Sequence, residues 1–262
     1  MSSKTETNAA GLASRQELTA LVQEVLAEAG RQGASAAEAS IGMSQGLAVT
    51  VRLGEVETVE HTRDKSLGVT VYLGQRSGSA SSSDLRPAAL RDTVRAAVTI
   101  AKYIAADDCA GLADRERLAK TVPDLDLYHP WRLTLDDAIE RAQRCEQAAR
   151  DVDSRIRNSE GASIASYQGL DVYANTHGFV GATRATRHSL SCAVIGQDDS
   201  GMQRDYWYTV ARNAGDLEAP EQVGRESARR SLRRLGGRKL ATRRTPVLFE
   251  APIASSILSH LG

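Results

Sequence analysis

The stretch ASIGMSQGLAV, residues 39–49, returns 123 positions later as ASIASYQGLDV, residues 162–172. Without gaps, residues 39–78 and 162–201 share 12 identities in 40 positions, where composition alone would give about three. Apolar residues alternate with polar or small ones through both stretches, as in strands that bury one face. The sequence therefore predicts two similar units, each containing an antiparallel meander.

Helical patterns flank both meanders. A Ser-x-x-Glu capping box begins at Ser14, and Thr134 precedes another stretch with apolar residues at helical spacing. Pro87 and Pro220 each stand where a further helix would begin, because proline suits the first position of a helix. Each half therefore has a helix before its strands and a helix after them.

This order of elements predicts an α+β fold made of duplicated helix–antiparallel-meander–helix units. The units cover about residues 14–106 and 134–235, and we expect them to share one N-terminal domain of residues 13–240. Residues 1–12 are polar and alanine-rich, which predicts a disordered tail.

Glycine positions in the repeat suggest where the chain turns. We expect Gly46 and Gly169 at equivalent turns, and Ser77-Gly78 and Ser200-Gly201 in equivalent hairpin loops. Near the end of the chain, residues 246–250 have the pattern of a short apolar strand, and a helix should follow them.

The composition is that of an ordinary globular protein. Of 262 residues, 41% are hydrophobic and 25% charged, and the formal net charge is zero, which argues against a nucleic-acid-binding protein. No run of 18 apolar residues exists and the N-terminus lacks a signal-peptide core, so we expect a cytoplasmic protein that does not cross a membrane. Cys109, Cys145 and Cys192 are widely spaced, which indicates reduced thiols.

One stretch is strongly basic, and Glu226 alone opposes its charge. Its residues are Arg225, Arg229, Arg230, Arg233, Arg234, Arg238, Lys239, Arg243 and Arg244. We interpret it as a solvated helix face with a linker, or alternatively as a surface for an acidic partner.

Local motifs do not indicate catalysis. His188 and Ser189 are neighbours in a predicted strand and therefore point to opposite faces. Residues 74–83 are small and polar but lack the Gly-Lys-Ser/Thr ending of a phosphate loop. No histidine has another three to five residues away, so no helical pair of zinc ligands exists.

Five stretches resemble signatures of the TldD/TldE (PmbA) metalloprotease family, most closely its TldE/PmbA branch. They are residues 153–162, 175–179, 187–193, 200–207 and 246–252. They occur in the family's order and extend from about residue 35 to the end. The signature positions whose role the sequence leaves open are Arg155, Asn158, Ser159, Glu160, Gly161, Asn175 and Gly178.

The resemblance implies a cytosolic subunit that forms a heterodimer with a zinc-bearing TldD-like partner and acts on unfolded peptides. It also implies an N-terminal α/β domain and a C-terminal β-rich domain, so residues 245–262 would be the truncated start of the latter. Six apolar side chains there would lack packing partners and stay exposed. They are Val247, Leu248, Phe249, Ile253, Ile257 and Leu258.

The zinc-bearing branch carries His-Glu-x-x-x-His on a helix after a strand that resembles residues 246–250. At the matching position this chain has Ser259 and His260, which we expect at the start of the final helix. A hydroxyl cannot replace an imidazole ligand, and one isolated imidazole holds zinc poorly. We therefore expect no catalytic residue and no metal ligand in this chain, and zinc in the partner.

Two alternatives stay open at this point. The chain could be a non-catalytic regulatory or binding protein of the DNA gyrase modulator type, in which the basic stretch meets an acidic partner. It could also be an enzyme that uses Ser189, Ser191 or Cys192 directly.

Overall fold

A computed structural model describes residues 13–261, so the predicted tail at residues 1–12 lies outside the described residues. The elements are α1 (Arg15–Arg31), β1 (Ala36–Arg52), β2 (Glu55–Leu73), β3 (Arg76–Ser82), α2 (Pro87–Tyr103), α3 (Leu135–Arg150), β4 (Ile156–Asn175), β5 (Val180–Asp198), β6 (Gly201–Ala211), α4 (Pro220–Arg233) and α5 (Ala251–Leu258). The predicted α+β class is confirmed.

The helices begin where local chemistry predicts. The Ser14 hydroxyl accepts a hydrogen bond from the Glu17 backbone N–H, and the Glu17 carboxylate accepts one from the Ser14 N–H. Thr134 accepts from the backbone N–H of Asp137 in the same way. These bonds satisfy N–H groups that a helix start otherwise leaves unpaired.

Within residues 13–261, six antiparallel strands form one sheet in the order β3-β2-β1-β4-β5-β6. The central pair is β1 with β4, and Gln45 faces its repeat mate Gln168 there. Ala39 faces Val69 in the first half, and Ala162 faces Cys192 in the second. The second pair lies one repeat distance after the first in both strands, so a pseudo-two-fold axis passes between Gln45 and Gln168.

Four helices pack on one face of the sheet as two pairs. The first pair, α1 and α2, buries a cluster that includes Leu18, Ile41 and Leu170. The second pair, α3 and α4, buries a cluster that includes Val49 and Ile164. Because α1 contacts β4 and α3 contacts β1, each helix pair covers strands of both halves. In the described part of the chain no helix covers the opposite face, which we call the open face.

The expected turns at Gly46 and Gly169 are wrong. Both glycines lie inside long strands, and Gly46 faces Tyr167 across the β1–β4 pair. A Cβ on Gly46 would lie 2.1 Å from Cδ1 of Tyr167, so glycine is needed there because the tyrosine ring lies across the strand.

The expected equivalence of Ser77-Gly78 and Ser200-Gly201 is also wrong. The first hairpin turns between Leu73 and Arg76, which places Ser77 and Gly78 inside β3. The second turns between Asp198 and Gly201. Its tip lies two residues later in the repeat than the first tip. The two strands β2 and β5 both have 19 residues, but β5 begins and ends two residues later in the repeat.

Residues 246–250 form no strand, which corrects the expectation of a short apolar strand there. Pro246 lacks a backbone N–H, and none of the described strands pairs with this segment. The helix that should follow is present as α5. Its apolar side chains and those before it are exposed, with values from 45% at Ile257 to 96% at Leu248.

Candidate functional site

The zinc-motif position lies at the end of the final helix, not at its start as expected. Ser259 is the residue that follows α5, and its hydroxyl donates to the carbonyl of Ser256 at 2.7 Å. His260 is exposed one residue further. Among residues 13–261, no group of three His, Cys, Asp or Glu side chains could hold a metal ion.

A half-buried arginine ties this terminal segment to the sheet. The Arg230 guanidinium binds both carboxylate oxygens of Glu250, at 2.7 and 3.1 Å. It also lies 3.6 Å from Asp205 and over the ring of Trp207, 5.2 Å from the ring centre. The bond from Arg230 lowers the pKa of Glu250. Glu250 directly precedes α5, so this contact holds the start of α5 next to α4.

The basic stretch is thus partly neutralised. Arg230 and Arg234 both approach Asp205, and Arg229 approaches Glu226 at 3.7 Å. Arg233 and the residues from Arg238 to Arg244 are exposed. The exposed remainder keeps its positive charge in solvent.

The signature at residues 155–161 forms two bulges at the start of β4. The register against β5 shifts between Ile156 and Asn158 and again between Ser159 and Gly161. The buried Ser159 hydroxyl accepts from the Gly161 N–H at 2.9 Å. Gly161 has φ +102°, and a Cβ there would lie 2.6 Å from the Val51 carbonyl oxygen. These residues therefore shape the strand.

Charged members of the same signature make surface contacts. Arg155 pairs with Asp153 through two bonds, at 3.0 and 2.8 Å. Glu160 pairs with Arg204 of β6, and Asn158 accepts from the N–H of Ser159.

Asn175 and Gly178 build the turn between β4 and β5. The Asn175 side chain accepts from the N–H groups of His177 and Phe179, and Gly178 has φ +98°. Next to this turn the tyrosines Tyr72 and Tyr173 both donate to Glu38, at 2.9 and 2.7 Å. Burial and the bond to Glu38 raise the pKa of Tyr72 to about 12.

His188 is a buried anchor for the connection between the two halves. Its Nε2 donates to the carbonyl of His129 at 2.9 Å, and its Nδ1 accepts from Ser166 at 3.0 Å; these donor roles follow from the partners. It is 1% exposed and packs edge-on against Trp131. Ser189 and Ser191 point to the open face, whereas His188 and Cys192 lie under the helices. The structure thus does not bring His188 together with either serine.

Sequence reasoning missed one motif. Residues 42–46 read Gly-Met-Ser-Gln-Gly, which is the Gly-x-Ser-x-Gly spacing of a nucleophile elbow. Ser44 lies in the middle of β1, paired with Asp64 on one side and Gly169 on the other. An elbow needs a sharp strand-to-helix turn, so this match has no catalytic context.

β6 is the outermost strand on its side of the sheet in the described part of the chain. Its pairing with β5 is continuous and carries no bulge. Met202, Tyr206, Tyr208 and Val210 are 43–65% exposed on the open face, and the rings of the two tyrosines stack with their centres 6.3 Å apart. Sequence reasoning included residues 200–207 among the family signatures but did not predict an exposed edge there; the alternation in residues 201–211 is a local signal of it.

None of the described helices is long and apolar enough to span a bilayer. Residues 37–101 match the family model of PmbA/TldA metallopeptidase domain 1, and residues 128–235 match that of the PmbA/TldA metallopeptidase central domain. The chain is 49% identical over 225 residues to Metalloprotease PmbA of Escherichia coli O157:H7.

This chain belongs to the TldE/PmbA family. The resemblance found in the sequence is confirmed. A second relative, the Metalloprotease PmbA homolog of Haemophilus influenzae, is 44% identical over 250 residues. The alignments cover 86% and 95% of this chain but 50% and 55% of the relatives. The chain thus spans about half the length of the curated relatives it matches.

Solved structures share the fold. A Bacteroides thetaiotaomicron protein described as a candidate modulator of DNA gyrase superposes with a TM-score of 0.80 and 26% identity, over 87% of this chain and 52% of that one. TldE from Thermococcus kodakarensis superposes with a TM-score of 0.65 over 81% of this chain and 47% of that one. At 14% identity, the second likeness concerns the fold alone.

Proposed function

We propose that this TldE/PmbA-family chain is a non-catalytic subunit of a two-component metalloprotease. It supplies a wall of the peptide-binding chamber and an interface for a zinc-bearing TldD-like partner in the cytoplasm. Family membership combined with the donor set at the zinc-motif position carries the proposal. Ser259 offers a hydroxyl bonded to Ser256, and His260 stands without a second imidazole beside it.

These residues do not fit a zinc site, which takes three or four nitrogen, sulfur or oxygen ligands in tetrahedral geometry. The chemistry of peptide hydrolysis is therefore assigned to the partner. The role of this chain is to bind and orient, which its exposed strand edge and apolar terminal segment support.

The test compares this chain, a TldD-like zinc subunit, and their mixture. We expect the mixture to cleave an unstructured peptide in a chelator-sensitive way, and this chain alone to bind no stoichiometric zinc. The His260→Ala variant should leave both results unchanged. Zinc that is bound by this chain alone and lost in His260→Ala would contradict the proposal, as would chelator-sensitive cleavage by this chain alone.

A second candidate is a regulatory role toward DNA gyrase. The description of the Bacteroides relative and the exposed arginines of the basic stretch favour it. A pull-down that recovers gyrase and no TldD-like protein, and that fails when Arg238, Arg243 and Arg244 are changed to glutamine, would select it over the protease role.

A further inference from the structure

The two edges of the sheet differ in their protection against pairing with another chain. β3 has seven residues, and all except Arg76 are Ser, Gly or Ala. β6 has eleven residues without proline, lysine or a bulge. Long, regular and apolar edges are those that accept a further strand. The asymmetry singles out β6 as the edge that is open to pairing.

The outward backbone of β6 has few partners. In the described part of the chain, one bond engages it: the Tyr206 N–H donates to Asp205. The Gln203 carbonyl faces β5 instead, because it accepts from Ser231, which also bonds with Gly196 and Val194 of β5. The other outward N–H and C=O groups are left for an added strand. Main-chain pairing of this kind accepts many sequences, because side chains enter only through alternate positions.

The two sides of the β6 edge differ in chemistry. Toward the open face, an added strand meets Met202, Tyr206, Tyr208 and Val210, and also Arg204, whose charge is paired with Glu160. Toward the helices it meets Arg234, whose side chain is 57% exposed and 3.6 Å from Asp205, and, further along the strand, Glu218, which accepts a bond from Trp207. The open-face side therefore favours apolar or aromatic residues, and the helix side favours a carboxylate at the position next to Arg234.

The size of the edge favours a linear chain as its occupant. Pairing along one strand buries less surface than the roughly 1,000 Å² that a stable interface between folded proteins needs. A short extended peptide does not need that area, since its affinity comes from backbone bonds and alternate side chains.

We propose that β6 binds an extended peptide as an added strand. The peptide alternates apolar or aromatic residues, which lie against Tyr206 and Tyr208, with acidic residues, which lie toward Arg234. The inference deepens the proposed function and rests on it where it makes this peptide a substrate.

The probe is a fluorescein-labelled eight-residue peptide of alternating valine and glutamate, measured by fluorescence anisotropy with the whole chain. We expect saturable binding that N-methylation of one alternate set of residues abolishes and N-methylation of the other set spares. Only an added strand distinguishes the two sets, because only one set turns its N–H groups toward β6. The N-methyl series leaves the protein unchanged, so misfolding cannot account for a loss.

Protein variants locate the site. Tyr206→Ala with Tyr208→Ala should weaken binding about tenfold by removing two aromatic contacts. Tyr103→Ala, at a tyrosine that is 87% exposed on α2, should not change it. A peptide with lysine in place of glutamate should bind more weakly, and Arg234→Gln should reduce that difference.

Three results would overturn the inference: no saturable binding, equal sensitivity to both N-methyl sets, or self-association of the chain that the double tyrosine variant abolishes. The last would mean that a second copy occupies the edge. A chain that activates a zinc subunit but binds no peptide at β6 refutes this inference and leaves the proposed function intact. A chain that binds the peptide at β6 but activates no zinc subunit supports this inference and refutes the proposed function.

Discussion

Gly161 is a position where both the backbone conformation and a close contact require glycine. Its φ of +102° is rarely adopted by residues with a side chain, and the Val51 carbonyl lies where a Cβ would be. Both constraints come from the double bulge that re-aims the start of β4. Strand shape thus accounts for the glycine in the family signature at this position.

Gly161→Ala should destabilise the chain by about 2–4 kcal/mol, combining left-handed strain with a steric clash. Gly33→Ala is the matched control, because Gly33 has φ +90° but open space around its Cα. It should cost about 1 kcal/mol. Urea unfolding followed by circular dichroism measures both, and equal losses would show that the contact with Val51 adds nothing.

The pKa of Asp153 is about 2, because Arg155 donates side-chain and backbone hydrogen bonds to it. Arg155→Gln should raise it toward 3.8, the ordinary value. Because this pKa is lower in the folded chain, the Asp153 carboxylate stabilises the fold at pH values above its unfolded pKa of about 3.9. This stabilisation is lost as the pH falls toward 2. Carboxyl titration by NMR checks the shift. Asp84, held at about 2 by Arg86, should not move, and a shift at both would point to a global change.

At the scale of elements, local signals predicted the helices well and the strand connections poorly. Capping at Ser14 and Thr134 depends on residues three positions away, so the sequence shows it directly. The need for glycine at position 46, inside a strand rather than at a turn, depends on the ring of Tyr167, which lies more than a hundred residues later in the chain. Hairpin tips depend on where the pairing of each strand ends, which the identity of Ser77-Gly78 with Ser200-Gly201 does not encode.

The Arg230–Glu250 contact should control the terminal segment more than the stability of the whole chain. Glu250→Gln removes the charge of a contact that holds α5 near α4, whereas α5 itself buries no residue. We expect faster hydrogen exchange in residues 250–258 and an unchanged unfolding midpoint.

Glu226→Gln is the control for the Glu250 variant, since Glu226 pairs with Arg229 on the same α4 helix. It should leave exchange in residues 250–258 unchanged. A drop in the unfolding midpoint of Glu250→Gln alone would show instead that α5 packs as part of the core.

For the whole molecule, the duplication could be predicted from sequence, but the surface that it creates could not. The pairs Ala39–Val69 and Ala162–Cys192 are separated by the repeat distance in both strands, as the duplication predicts. The β6 edge arises only when six strands join in one sheet and one helix pair covers each end. The anchoring role of His188 likewise could not be predicted, because its two partners are Ser166 on the neighbouring strand and the distant carbonyl of His129.

Interlocking of the two halves predicts how a cut chain behaves. β1 pairs with β4, and each helix pair covers strands of both halves, so neither half can bury its core alone. A single cut at Gly111, in the exposed connection, should leave two fragments that co-elute and melt together at a lower, concentration-dependent midpoint. Size-exclusion chromatography and thermal circular dichroism test this. A fragment that melts cooperatively by itself at the midpoint of the intact chain would show that the halves are independent domains.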